Sequence, residues 1–122
     1  MLLLLILGAM DFGRMFYTKI VLTNAAREGA NYLTRYPGDA MNDQGAFANT
    51  ISVIEEEATS SGIDPTMLTI PIPPDNCCTH GEEVGVTVQI KDINLIFSNF
   101  LKLFLSVGET IDLSSTVWMV IQ

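Results

Sequence analysis

MLLLLILGAMDFGRMFYTKIVLTNAAREGANYLTR, residues 1–35, decides how the rest of the chain is read. It contains no proline, and the glycines before Gly29 (Gly8 and Gly13) are isolated, so nothing in it stops a helix. It opens as a hydrocarbon run of Leu2, Leu3, Leu4, Leu5, Ile6 and Leu7 and ends as an amphipathic segment rich in alanine and charge. Tyr36 precedes Pro37 and Gly38. A residue before proline is pushed out of the helical region, so the helix is expected to stop near Tyr36. The chain divides into an N-terminal assembly or membrane helix over 1–35 and a head over 36–122.

The charges divide at the same point. With 122 residues there is room for one small domain. The first 35 residues carry Arg14, Lys19, Arg27 and Arg35 against Asp11 and Glu28, a balance of +2, whereas the head carries Lys91 and Lys102 against twelve acids, a balance of −10, giving the net −8. An acidic head excludes a nucleic-acid partner, which needs a basic footprint. The basic collar beyond the apolar run is of the kind that membrane headgroups attract.

The apolar run matches neither a secretory signal nor an ordinary membrane span. No basic residues precede it and no small-residue cleavage site follows it. Ten apolar residues make roughly 15 Å of helix, half the hydrocarbon thickness of a bilayer. Extending the segment to Leu22 encloses Asp11, Arg14 and Lys19, each costing ~2.5–3.5 kcal/mol at the centre of a lipid span. One expectation accommodates both features: residue 1 is a processed terminus, left after an upstream leader was removed. Asp11 and Arg14, three apart, can pair on one helix face. Ala9/Gly13, Ala25/Gly29 and Ala26/Ala30 put small residues four apart, a spacing that lets helices approach closely; alanine is also simply a good helix former. Phe12, Met15, Phe16, Ile20 and Leu33 form an apolar stripe, with Tyr17 and Tyr32 nearby, and packing is its expected use.

In the head, residues 37–46 are turn-rich. A second helix is predicted over about 46–61, because Phe47, Ile51, Ile54 and Ala58 fall on one helical face, with Gly62 as its C-terminal cap. Glu55, Glu56 and Glu57 read as a solvated face. Leu68, Ile70 and Ile72 share one side of a short strand that Pro71, Pro73 and Pro74 confine to an edge or end. Val84, Val86, Val88 and Ile90 alternate with polar residues and glycine in a clear second strand. Residues 94–107 are mostly apolar and are expected to include a helical turn. A third strand is predicted near the C-terminus, with Ile111, Leu113, Val117, Met119 and Ile121 on one side. Two helices followed by three strands predict an α+β fold with an antiparallel sheet packed on helix.

Residues with catalytic chemistry are few. His80 is the single histidine, and no GxSxG, P-loop, HExxH or EF-hand pattern occurs. No catalytic residue, cofactor or metal site is therefore assigned. Cys77 and Cys78 are adjacent, with His80 two residues on. Paired CxxC spacing, the usual zinc signature, is missing. In an extracytoplasmic head the two thiols are a candidate vicinal disulfide; bonds between subunits, free thiols and metal ligation are the other readings.

The step Asp11-Phe12-Gly13-Arg14 and the block Thr23-Asn24-Ala25-Ala26-Arg27-Glu28-Gly29-Ala30 resemble the N-terminal signature of the TadE/TadG-like family, pilin-like proteins of tight-adherence (Tad) pilus systems. The resemblance is specific over 10–31, and the valine-alternating strand and the terminal strand follow it by pattern. It implies a type IV pilin-like architecture: a long N-terminal α-helix plus a small head with a second helix and a three-stranded antiparallel sheet. It further implies a precursor held in the inner membrane, cleavage by a prepilin peptidase, and assembly of many copies by the pilus machinery into an extracellular filament. The assembly helix would then use Leu2, Leu3, Leu4, Leu5, Ile6, Leu7, Asp11, Phe12, Arg14, Phe16 and Ile20. Leu5 stands where many type IV pilins place a glutamate; Asp11 is the nearest acid. The expected function is a main filament subunit. The alternatives are a minor pilin or pseudopilin, and a membrane-anchored module that binds a ligand through the 75–83 loop.

Overall fold

A single helix, α1 (Leu2–Arg35), forms the stalk, and its far half belongs to the head. The computed structural model describes residues 1–36, 47–71, 81–93 and 111–121. After α1 come α2 (Ala48–Ser60), a 3₁₀ turn (Pro65–Met67), and strands β1 (Leu68–Thr69), β2 (Glu83–Ile93) and β3 (Ile111–Val120). The strands make one antiparallel sheet in the order β1-β2-β3. This is the α+β arrangement expected from the residue pattern, and it is consistent with the pilin-like architecture that the resemblance implies.

α1 ends where the chain order predicts. Tyr36 caps it, and its N–H reaches the Tyr32 carbonyl at 3.0 Å. α2 begins at Ala48 rather than about 46, because Phe47 adopts a left-handed conformation (φ 71°) as its N-cap. The Phe47 carbonyl still accepts the first helical bond, from Ile51 N–H at 2.7 Å, while the ring is buried in the core. Ser61 is the C-cap of α2, with Gly62 following at φ +84°. Gly62 N–H bonds to Thr59 O, and Ile63 N–H bonds to Ala58 O at 2.9 Å. These two bonds define a Schellman ending, in which the residue after the cap must be left-handed and glycine meets no Cβ penalty.

The core forms where α1, α2 and the sheet meet. α1 contributes Leu22, Ala25, Ala26, Ala30 and Leu33, all fully buried; α2 contributes Ile54 and Ala58; β2 contributes Val84, Val86, Val88 and Ile90. The residues of β2 follow the period of two, so its inner face is apolar throughout. On β3, Leu113, Val117 and Met119 pack on the same core, and Ile121 closes it. The opposite face pairs Glu83 with Val120, Gly85 with Trp118, Thr87 with Thr116 and Gln89 with Ser114. Gly29 is the point of closest approach. A Cβ built there would lie 2.6 Å from both Cγ1 and Cδ1 of Ile54 and 3.5 Å from Cγ1 of Val86. The small residues Ala25 and Gly29 thus serve packing within the chain.

The structure adjusts three expectations. The apolar stripe of α1 divides between two sides: Leu33 is buried and Met15 half-buried, while Phe12, Phe16 and Ile20 are exposed. The strand expected over 68–72 shortens to Leu68–Thr69, paired with Ile90 and Gln89. The preceding residues close a 3₁₀ turn led by Pro65, and Pro71 offers no N–H to continue the ladder. Asp11 is buried, at 5% exposure, whereas Arg14 is exposed, so the two side chains occupy different surroundings. Asp11 has a hydrogen-bonding or ionic partner.

The 3₁₀ turn has its own cap. The Asp64 carboxylate accepts from Thr66 N–H at 2.9 Å and from Thr66 Oγ1 at 2.8 Å. These bonds favour the ionised form, the backbone one most, and hold the carboxyl below its ordinary pKa.

Candidate functional site

α1 changes role along its length. From Val21 to Leu33 it is a core element, and three polar contacts secure the turns just before and within that stretch. Tyr17 Oη donates to the Ser61 carbonyl at the end of α2 (2.9 Å). Lys19 Nζ donates to the Ser114 carbonyl on β3. Thr23 Oγ1 shares a hydrogen bond with Ser115 Oγ at 2.8 Å, on the core side of β3. One contact goes to α2 and two go to the sheet, so the axis of α1 is fixed relative to the head at two places. Lys19, expected as part of a basic collar, is engaged with the head.

Below this region the helix is apolar all round, and its apolar residues are exposed along one broad side, the side of Leu4, Leu7 and Asp11 being more covered. Leu2, Leu3, Leu5, Ile6 and Met10 are exposed, Leu5 by 74%, with Leu4 at the edge of that class and Leu7 half-buried. An ordinary surface helix is polar on at least one face; a helix that is apolar all round belongs inside protein or lipid. One and two turns further on, Phe12 (67% exposed) and Phe16 (61%) stand in line at i and i+4, with Ile20 continuing the row. The two rings are near parallel, with centroids 6.5 Å apart and planes 14° from each other. Ala9 and Gly13 are exposed beside this row, and a Cβ built on Gly8 or Gly13 would meet nothing within 4 Å. The backbone is therefore open to close approach there, and the exposed region combines large apolar side chains with a small-residue gap.

The residues expected to carry assembly separate accordingly. Leu2, Leu3, Leu4, Leu5, Ile6, Phe12, Phe16 and Ile20 are exposed, with Arg14 among them on the polar margin; Leu7 is half-buried, and Asp11 is turned into a buried setting. Cys77, Cys78 and His80 lie outside the described residues, as do Ile72 and the 94–107 segment. Among the described residues, no three His, Cys, Asp or Glu side chains come together as metal ligands. Among the same residues no helix is long and apolar enough to cross a membrane, in keeping with the interruption of the hydrocarbon run at Asp11, Arg14 and Lys19.

Sequence reasoning did not find the anchoring contacts. Tyr17 and Lys19 carry no local signal, because their partners are 44 and 95 residues away. Ser115 did leave one: it is the polar gap in the otherwise apolar inward series Leu113, Val117, Met119 and Ile121. A buried hydroxyl in such a series needs a partner, and Thr23 supplies it.

Residues 1–31 match the family model for TadE-like protein. No curated protein and no solved structure matches the chain. The matched segment includes the exposed apolar region and the first part of the core-forming half of α1, and over this segment the chain is similar to TadE-like proteins.

Proposed function

We propose that this chain is a structural pilin subunit that polymerises through its N-terminal helix into an extracellular pilus-like filament. The match to the TadE-like family supports association with a Tad pilus system. The observation that carries the finer reading is the stretch from Leu2 to Met10, helical and apolar all round, with Leu2, Leu3, Leu5, Ile6 and Met10 exposed along one broad side. Fully burying a large aliphatic or aromatic side chain stabilises by ~1.5–3 kcal/mol, so such a surface favours a second environment. Lipid supplies it before assembly, and neighbouring copies of the helix supply it afterwards. Phe12, Phe16 and Ile20 extend the contact toward the head, and Ala9 and Gly13 give the neighbouring backbone room. The acidic head forms the outer surface of the filament. The reading assigns the chain a structural role with no catalytic step, and its partners are its own copies, the inner membrane, the prepilin peptidase and the pilus assembly machinery.

The test is cryo-electron microscopy of filaments sheared from cells that produce the chain, with mass spectrometry of the purified filaments. The expected result is a polymer whose dominant polypeptide is this chain. In cells carrying Phe12→Asp/Phe16→Asp, filaments should be absent while the head keeps its fold, because both rings lie outside its core. Recovery of the chain only as a membrane-embedded monomer refutes polymerisation. Recovery as a scarce component of a filament built from another subunit assigns it as a minor pilin instead.

A further inference from the structure

The outer face of the sheet is a second built surface, one that the assembly reading does not use. Its centre is the cross-strand pair Gly85–Trp118. A Cβ built on Gly85 would lie 2.8, 2.8 and 2.9 Å from Cη2, Cζ3 and Cε3 of Trp118. These are three consecutive atoms of the six-membered ring. A point equidistant from three atoms of a hexagon lies on the axis through its centre, so the indole lies flat over Gly85. Any side chain at 85 would lift it. Glycine inside a strand weakens the strand, and here it allows one indole face to lie on the backbone while the other points outward. Trp118 is 47% exposed.

Beside the ring runs a neutral polar ladder. Thr87 and Thr116 share a hydrogen bond at 2.7 Å, which fixes both hydroxyls, and Gln89 and Ser114 form the next pair. From Trp118 to Ser114 the strand covers about 13 Å. No residue of these three pairs is charged, although residues 36–122 carry a balance of −10. We propose that this face is a binding platform for a neutral glycan. A pyranose presents polarised C–H bonds to a flat aromatic face, whose quadrupole is negative, and hydroxyls at its rim that can both donate and accept, as threonine, serine and glutamine do. The charge distribution selects the neutral class: the acidic head repels polyanions, and the acids nearest on this face, Glu83 and Asp112, stand at the two ends of the row and not along it.

Trp118 is the only tryptophan in the chain, so its emission reports on the platform directly. The full chain is titrated with cellohexaose, chitohexaose and maltohexaose in a polyoxyethylene-ether detergent, which has no sugar headgroup. A heparin hexasaccharide and choline serve as charged probes. The expected result is a saturable emission change with at least one neutral hexasaccharide. By calorimetry, Trp118→Ala should weaken that binding about tenfold, the loss of a stacking contact worth ~1.4 kcal/mol. Gly85→Ala, which keeps the tryptophan but tilts the ring, should also weaken binding and covers the case of a Trp118→Ala chain that does not fold. No emission change with any neutral sugar overturns the proposal. So does a response confined to heparin or choline, or an affinity that either variant leaves intact in a folded chain.

Discussion

Gly29→Ala isolates the contact that joins the stalk helix to the head. The added methyl carbon would sit 2.6 Å from Cγ1 and Cδ1 of Ile54, about 1 Å inside the optimal carbon–carbon separation. Ile54 is fully buried, so it moves only by displacing its neighbours. Overpacking of this kind costs ~1–3 kcal/mol. Against it stands the helix preference for alanine over glycine, about 1 kcal/mol. The single substitution should therefore be neutral or destabilising by up to ~2 kcal/mol. Ile54→Ala alone should cost ~2–5 kcal/mol through lost burial and a cavity. In that background the clash is gone and only the propensity gain remains. Gly29→Ala should then stabilise the Ile54→Ala chain by about 1 kcal/mol. The coupling across the cycle, ~1–3 kcal/mol, is the strain itself. Urea unfolding of the four full-length chains in detergent, followed by Trp118 emission and far-UV circular dichroism, measures it. A Gly29→Ala effect that is the same in both backgrounds would refute the close approach of α1 and α2 at this point.

Three further outcomes follow from the same structure. Gly62→Ala places a side chain at φ +84° and should destabilise by ~1–2 kcal/mol in thermal unfolding, with Gly62→Asn costing less. Thr23→Val alone leaves the Ser115 hydroxyl short of a partner and should cost ~1–3 kcal/mol, whereas Thr23→Val/Ser115→Val, removing both groups, should cost clearly less than the two singles together. The Asp64 carboxyl, held low by its bonds to Thr66, should titrate below an ordinary aspartate when followed by carbon NMR. Its native pKa is depressed, so its stabilising contribution is complete above the ordinary aspartate pKa and is lost as pH falls through the depressed value. Thr66→Val should raise the midpoint; no change would remove the hydroxyl from the account.

The sequence by itself determined the elements whose cause is local. The absence of proline before Pro37 and the position of Tyr36 set the length of α1. Phe47, Ile51, Ile54 and Ala58 marked the buried face of α2, and the valines of β2 and the alternation of β3 marked the inner face of the sheet. A period of 3.6 or 2 is a property of neighbouring residues and can be read without their partners. The N-terminal signature likewise lies in one continuous stretch. Only the tertiary structure decided which side of the stalk faces which surroundings. Leu33 and Phe16 belong to one apolar pattern, yet the first is in the core and the second in solvent, because the head covers α1 along one side only. Thr23 and Ser115, or Gly85 and Trp118, acquire their roles when strand register and helix docking bring them together. The energy of such contacts depends on groups far apart in the chain, and α1 alone holds no record of where β3 will lie.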